Sequence, residues 1–81
     1  MDSTEFNRIH KMMRMTARSY LLLFSATKLE HYLDSATNVF KKTRELEAEF
    51  KTTTGKEPID VLFRGNKEEL EDYTIMWKKG A

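Results

Sequence analysis

The chain has 81 residues, with 14 Lys or Arg against 13 Asp or Glu, no cysteine, 40% apolar residues and 33% charged residues. These figures exclude a disulfide framework and a thiolate metal site. The near-neutral balance argues against a dominant nucleic-acid footprint, which shows as a strong basic excess.

The N-terminus shows neither signal-peptide nor transit-peptide character, because Asp2 and Glu5 interrupt it and no apolar region follows. Tyr20-Leu21-Leu22-Leu23-Phe24 is the longest apolar run, far short of the roughly 20 residues a membrane-spanning helix needs. The expectation is a soluble intracellular protein with no transmembrane segment, folded as a single small helical domain or subunit over residues 1–81.

From Asp2 to Thr54 there is no glycine, proline or cysteine. Asp2 or Ser3 can cap a helix, and Asp2-Ser3-Thr4-Glu5 has capping-box spacing. Phe6, Ile9, Met13, Ala17, Tyr20 and Phe24 then recur at intervals of three and four, which draws one stripe along a helix. Met12 and Met15 flank that stripe and widen it. Lys11, Arg14 and Arg18 fall on another face with Asn7, as a short basic ridge.

Past Phe24 the apolar line changes face. Counted at about 100° per residue, Leu22, Leu29, Tyr32, Leu33, Ala36, Val39, Phe40, Thr43, Leu46 and Phe50 fall together. Two structures satisfy the shift. In one, a continuous helix runs from about 4 to 53 and meets different neighbours along its halves. In the other, the helix is jointed near 25–27, where Thr27-Lys28-Leu29-Glu30 repeats the capping-box pattern. The absence of glycine, proline and asparagine from Met12 to Asp34 favours the continuous form. Length argues the other way. A continuous helix would be about 75 Å long, and the remaining chain cannot cover it. The jointed form closes a three-helix bundle.

Gly55 is a left-handed cap and Pro58 follows, so residues 54–65 form a loop that contains the short apolar turn Pro58–Phe63. Asn66 caps a C-terminal helix over 66–79, whose acidic first turn and terminal Lys78 and Lys79 suit the helix dipole. Leu70, Tyr73, Thr74 and Trp77 share one face of it, and Gly65 supplies a positive φ for the reversal before it. The fold class is all-α.

No chemistry stands out. Thr54-Gly55-Lys56 matches the end of a phosphate-binding loop, but Phe50 and Glu57 occupy the positions where glycine and a hydroxyl are required. His31 and Asp34 lie one turn apart and make only two ligands. The acidic runs 45–49 and 68–72 read as solvated faces. No catalytic residue, cofactor-binding residue or metal ligand is assigned, no cofactor is expected, and an enzyme is not expected.

The expected function is a non-catalytic helical interaction module, bundle or coiled coil. It packs lengthwise on helices of a protein partner or of its own copy. Leu22, Leu29, Leu33, Ala36, Val39, Phe40, Leu46 and Phe50 form the predicted contact face, rimmed by Lys11, Arg14 and Arg18. The alternative is nucleic-acid binding through the basic N-terminal face.

Overall fold

The computed structural model describes residues 1–63, the backbone of 66–79, and the side chains of 66–69, 71–73 and 75. Every regular element among these residues is helical: α1 (Ser3–Thr27), α2 (Glu30–Thr54), the single turn α3 (Pro58–Val61) and α4 (Lys67–Lys79). The fold is all-α, as the sequence predicts. Helix α1 starts on its expected cap, where the Asp2 carboxylate accepts a 2.8 Å hydrogen bond from the Glu5 amide.

The continuous helix does not form. Helix α1 ends at Thr27, Lys28 turns left-handed at φ 61°, and α2 begins at Glu30. Lys28 takes the left-handed conformation that glycine would otherwise supply, and the Thr27 hydroxyl braces the turn. That hydroxyl donates to the Leu23 carbonyl at 2.7 Å and accepts from the Leu29 amide at 3.3 Å. The Lys28 amide closes α1 on the Phe24 carbonyl at 2.7 Å. The Thr27–Glu30 capping box is not made. Leu29 is the N-cap residue of α2 and contributes no side-chain bond.

Folding back covers what a long rod would expose. The molecule spans 40 Å along its longest axis with a radius of gyration of 13.2 Å, against about 12 Å for a compact chain of this length.

Helices α1 and α2 pack antiparallel. At the open end of the hairpin Phe6 stacks on Phe50, with ring centroids 4.0 Å apart and planes 8° from parallel. Leu46, Val61 and Leu62 close round them. Nearer the joint, Ala17 meets Ala36 and Phe40, and Tyr20, Leu21, Val39 and Tyr73 pack around that second cluster. Small residues at 17 and 36 let the helices approach closely there.

Helix α2 ends as expected, with Gly55 at φ 73° and its amide on the Lys51 carbonyl. Pro58 opens α3, which folds Val61 and Leu62 over the Phe6–Phe50 pair. In the loop that follows, Phe63 carries a positive φ of 61°. Gly65, where the sequence places the positive φ, lies outside the described residues. Asn66 caps α4 by accepting from the Glu69 amide at 3.0 Å and donating to the Glu69 carboxylate at 3.3 Å. Of the predicted α4 face, Tyr73 is described, and it docks on the hairpin. The side chains of Leu70, Thr74 and Trp77 lie outside the described residues.

Candidate functional site

Where α4 meets the hairpin, five side chains form a polar relay. His10 on α1 is 0% exposed, lodged between the rings of Phe6 (5.6 Å), Tyr73 (5.4 Å) and Phe63 (6.3 Å). Its Nε2 stands 3.0 Å from the Glu47 carboxylate, and its Nδ1 contacts the Arg14 guanidinium. A guanidinium has no lone pair to offer, so Nδ1 is the acceptor. The ring therefore carries its hydrogen on Nε2 and donates it to Glu47. The Tyr73 hydroxyl donates to the same Glu47 oxygen. Arg14 also lies over the Phe63 ring, 4.4 Å from its centroid, and pairs with Glu69 at 3.3 Å.

The electrostatics follow from this geometry. Burial alone would raise the Glu47 carboxyl, but the hydrogen bonds from His10 and Tyr73, with the Arg44 charge nearby, hold it below its ordinary value. Burial, then the adjacent Glu47 carboxylate, pushes the Tyr73 phenol well above its ordinary value. Burial lowers the Arg14 guanidinium, and Glu69 opposes that shift.

The relay thus joins a cation to an anion through a neutral imidazole and is crossed by residues of three helices. The His10 ring cannot meet a substrate unless α4 lifts. What the relay does physically is tie α4 to a unique position on the hairpin.

The predicted contact face divides. Ala36, Phe40, Leu46 and Phe50 are buried inside the chain's own hairpin. Leu33 and Val39 are half-buried, while Leu22 and Leu29 are exposed. The eight do not form one surface, because the 100° count that aligned Leu22 and Leu29 with the rest assumed unbroken helix through Lys28. Of the basic rim, Lys11 and Arg18 are exposed, whereas Arg14 is engaged in the relay. His31 lies against the Tyr32 ring at 4.1 Å. No group of three metal-capable side chains occurs among the described residues.

Met12 and Met15 do not widen the core stripe. They are 62% and 61% exposed, and Leu22 is 61% exposed. Met12, Met15, Ser19, Leu22 and Ala26 recur at intervals of three, four, three and four on the side of α1 opposite Phe6, His10 and Ala17. This second seam was legible in the spacing. The stronger line of aromatic residues on the first face masked it. No acidic residue occurs from Phe6 to Leu29, while Arg8, Lys11, Arg14, Arg18 and Lys28 do.

The edge of the seam forms a groove with α4. One segment, of about 130 Å³, is lined by Lys11, Arg14, Met15, Arg18, Glu69, Asp72 and Tyr73. The next, of about 460 Å³, is lined by Arg18, Leu21, Leu22, Asp72 and Ile75. The segments share Arg18 and Asp72, so the groove is continuous. Ile75, on its far wall, is 60% exposed.

No protein-family model matches the chain, and neither the curated proteins nor the solved structures contain a significant match to it. Among the described residues no helix is long and apolar enough to cross a membrane.

Proposed function

We propose that the protein is a non-catalytic helical interaction module, working inside a cell, that packs lengthwise on helices of a partner protein or of its own copy. The observation that carries this reading is the outward seam of α1. Met12, Met15 and Leu22 stand more than half exposed at coiled-coil spacing, on the face the hairpin does not use. Covering each would contribute about 1–2 kcal/mol, given the usual value for a fully buried large side chain. The contact face therefore shifts from the α2 residues of the sequence reading to the outer side of α1, with Leu22 common to both.

Nucleic-acid binding through Lys11, Arg14 and Arg18 is the weaker reading. Helix α4 sets Glu69 and Asp72 beside those cations, where they oppose phosphate.

The test is site-specific photo-crosslinking in the native host, with the photoreactive side chain placed in turn at Met15, Leu22 and the exposed α2 residue Lys42. Discrete adducts from Met15 and Leu22 but not from Lys42 support the reading. Equal or absent crosslinking from all three positions overturns it.

A further inference from the structure

The geometry points to a second copy of this chain as the occupant of the α1–α4 groove, in a two-fold dimer whose axis runs along the helices. The inference rests on the interaction-module reading and commits it to one partner.

The groove has walls of opposite character. The α1 wall carries exposed Lys11 and Arg18, and the α4 wall carries exposed Glu69 and Asp72. Helices α1 and α4 run parallel. Arg14 pairs with Glu69, Arg18 and Asp72 line the same segment, and Leu22 faces the same groove as Ile75. A purely acidic partner helix would suit the α1 wall and be repelled by the α4 wall. An anionic lipid surface meets the same objection. The groove calls for an occupant that is basic along one edge and acidic along the other, with apolar side chains between. The face itself has that composition.

Self-association of a two-fold face brings each residue against the mate of its own opposite. Two limiting axes lie in the plane of the face, one across the helices and one along them. An axis across the helices sets α1 on α1, cation against cation, and α4 on α4, anion against anion. An axis along the helices sets α1 of one copy on α4 of the other, at matched height. Arg18 of each copy then meets Asp72 of its mate, and Leu22 of each copy meets Ile75 of its mate. Charge and apolar pairing select the same axis. Completing the face in this way covers Met15, Leu22 and Ile75, three of the most exposed large apolar side chains among the described residues.

Sedimentation equilibrium of the full chain, from low micromolar to several hundred micromolar, tests this. The expected result is a monomer–dimer equilibrium. Arg18→Glu and Asp72→Arg should each weaken it at least tenfold, because each places two like-charge pairs at the contact. An equimolar mixture of the two variants should recover the dimer, and so should the doubly substituted chain, since each restores both opposite-charge pairs. Leu22→Asp should abolish it. Native helicity of every variant by circular dichroism separates loss of contact from loss of fold, and all these positions are at the surface. A monomer throughout the range overturns the inference, as does a dimer indifferent to both charge substitutions. So does weakening without recovery in the mixture. Adducts from Leu22 to a protein of different mass in the crosslinking experiment, with a monomer here, would leave the module reading standing and the self-partner refuted.

Discussion

At residue scale three positions, Lys28, Glu47 and Tyr73, carry conformations or charges that the surroundings must hold. Lys28 sits at φ 61°, where a non-glycine residue is strained by about 1–2 kcal/mol. Glycine would relieve that strain and add unfolded-chain entropy. Lys28→Gly is expected to stabilise by up to about 1 kcal/mol, seen as a midpoint raised by roughly 4–8 °C in thermal unfolding.

Glu47 and Tyr73 give opposite pH limbs. The Glu47 carboxyl is lower when folded than its ordinary value of 4.5. The unfolded chain therefore binds more protons in acid, and the Glu47 contribution is complete above that pH and lost as pH falls below it. The Tyr73 phenol is raised from 10.0, so its contribution is complete below pH 10 and lost as pH rises through the folded value. Denaturant titrations across pH should show both limbs. Glu47→Gln should flatten the acid limb, and Tyr73→Phe should remove the alkaline one. An unchanged acid limb in Glu47→Gln would place that carboxylate outside the relay.

At the scale of elements, α4 is the informative one. It has 13 residues, a length at which isolated helices are marginal in water, so its order depends on docking and capping. Among the described contacts that dock it are the Tyr73–Glu47 hydrogen bond, the Arg14–Glu69 pair and the packing of Tyr73 on Phe63 at 5.1 Å, on His10 at 5.4 Å and against the Ala17–Phe40 cluster. Asn66→Ala removes the cap bond to the Glu69 amide and should cost about 1 kcal/mol. Hydrogen exchange should localise the loss to α4 and leave α1 and α2 protected. Loss spread evenly over all three helices would mean that α4 does not open separately.

At the scale of the whole molecule, the hairpin core decides whether there is a fold to dock on. Phe6 is fully buried and stacked on Phe50, so Phe6→Ala should cost about 3–5 kcal/mol. Total stability for a chain of this size is on the order of 4–12 kcal/mol, and chemical denaturation should show that loss as a large fall in midpoint. Phe40 is 4% exposed, so Phe40→Glu buries an unpaired charge and abolishes helicity with everything else. A charge at Leu22 leaves the core intact, and so separates assembly from folding.

Local rules were sufficient for the helical class, the Asp2, Gly55 and Asn66 caps and the line Phe6–Ala17–Tyr20. Each depends on side chains within one or two turns, which is the range over which capping and periodicity act. The joint was half-legible. Thr27 has the chemistry for it, but a lysine in the left-handed region has no local signature, and the gain from closing α1 on α2 comes from residues 44 apart in the chain, Phe6 and Phe50. For the same reason the eight residues do not lie on one face: a face counted through a joint is not a face. His10 and Glu47 are ordinary residues in the sequence, 37 positions apart, and only the folded hairpin with α4 laid across it makes them partners. Capping and periodicity alone mark which long segments are helical and where α2 stops. The tertiary structure decided which apolar seam of α1 is core and which is left outward, because a helix with two seams records both in its spacing and neither neighbour.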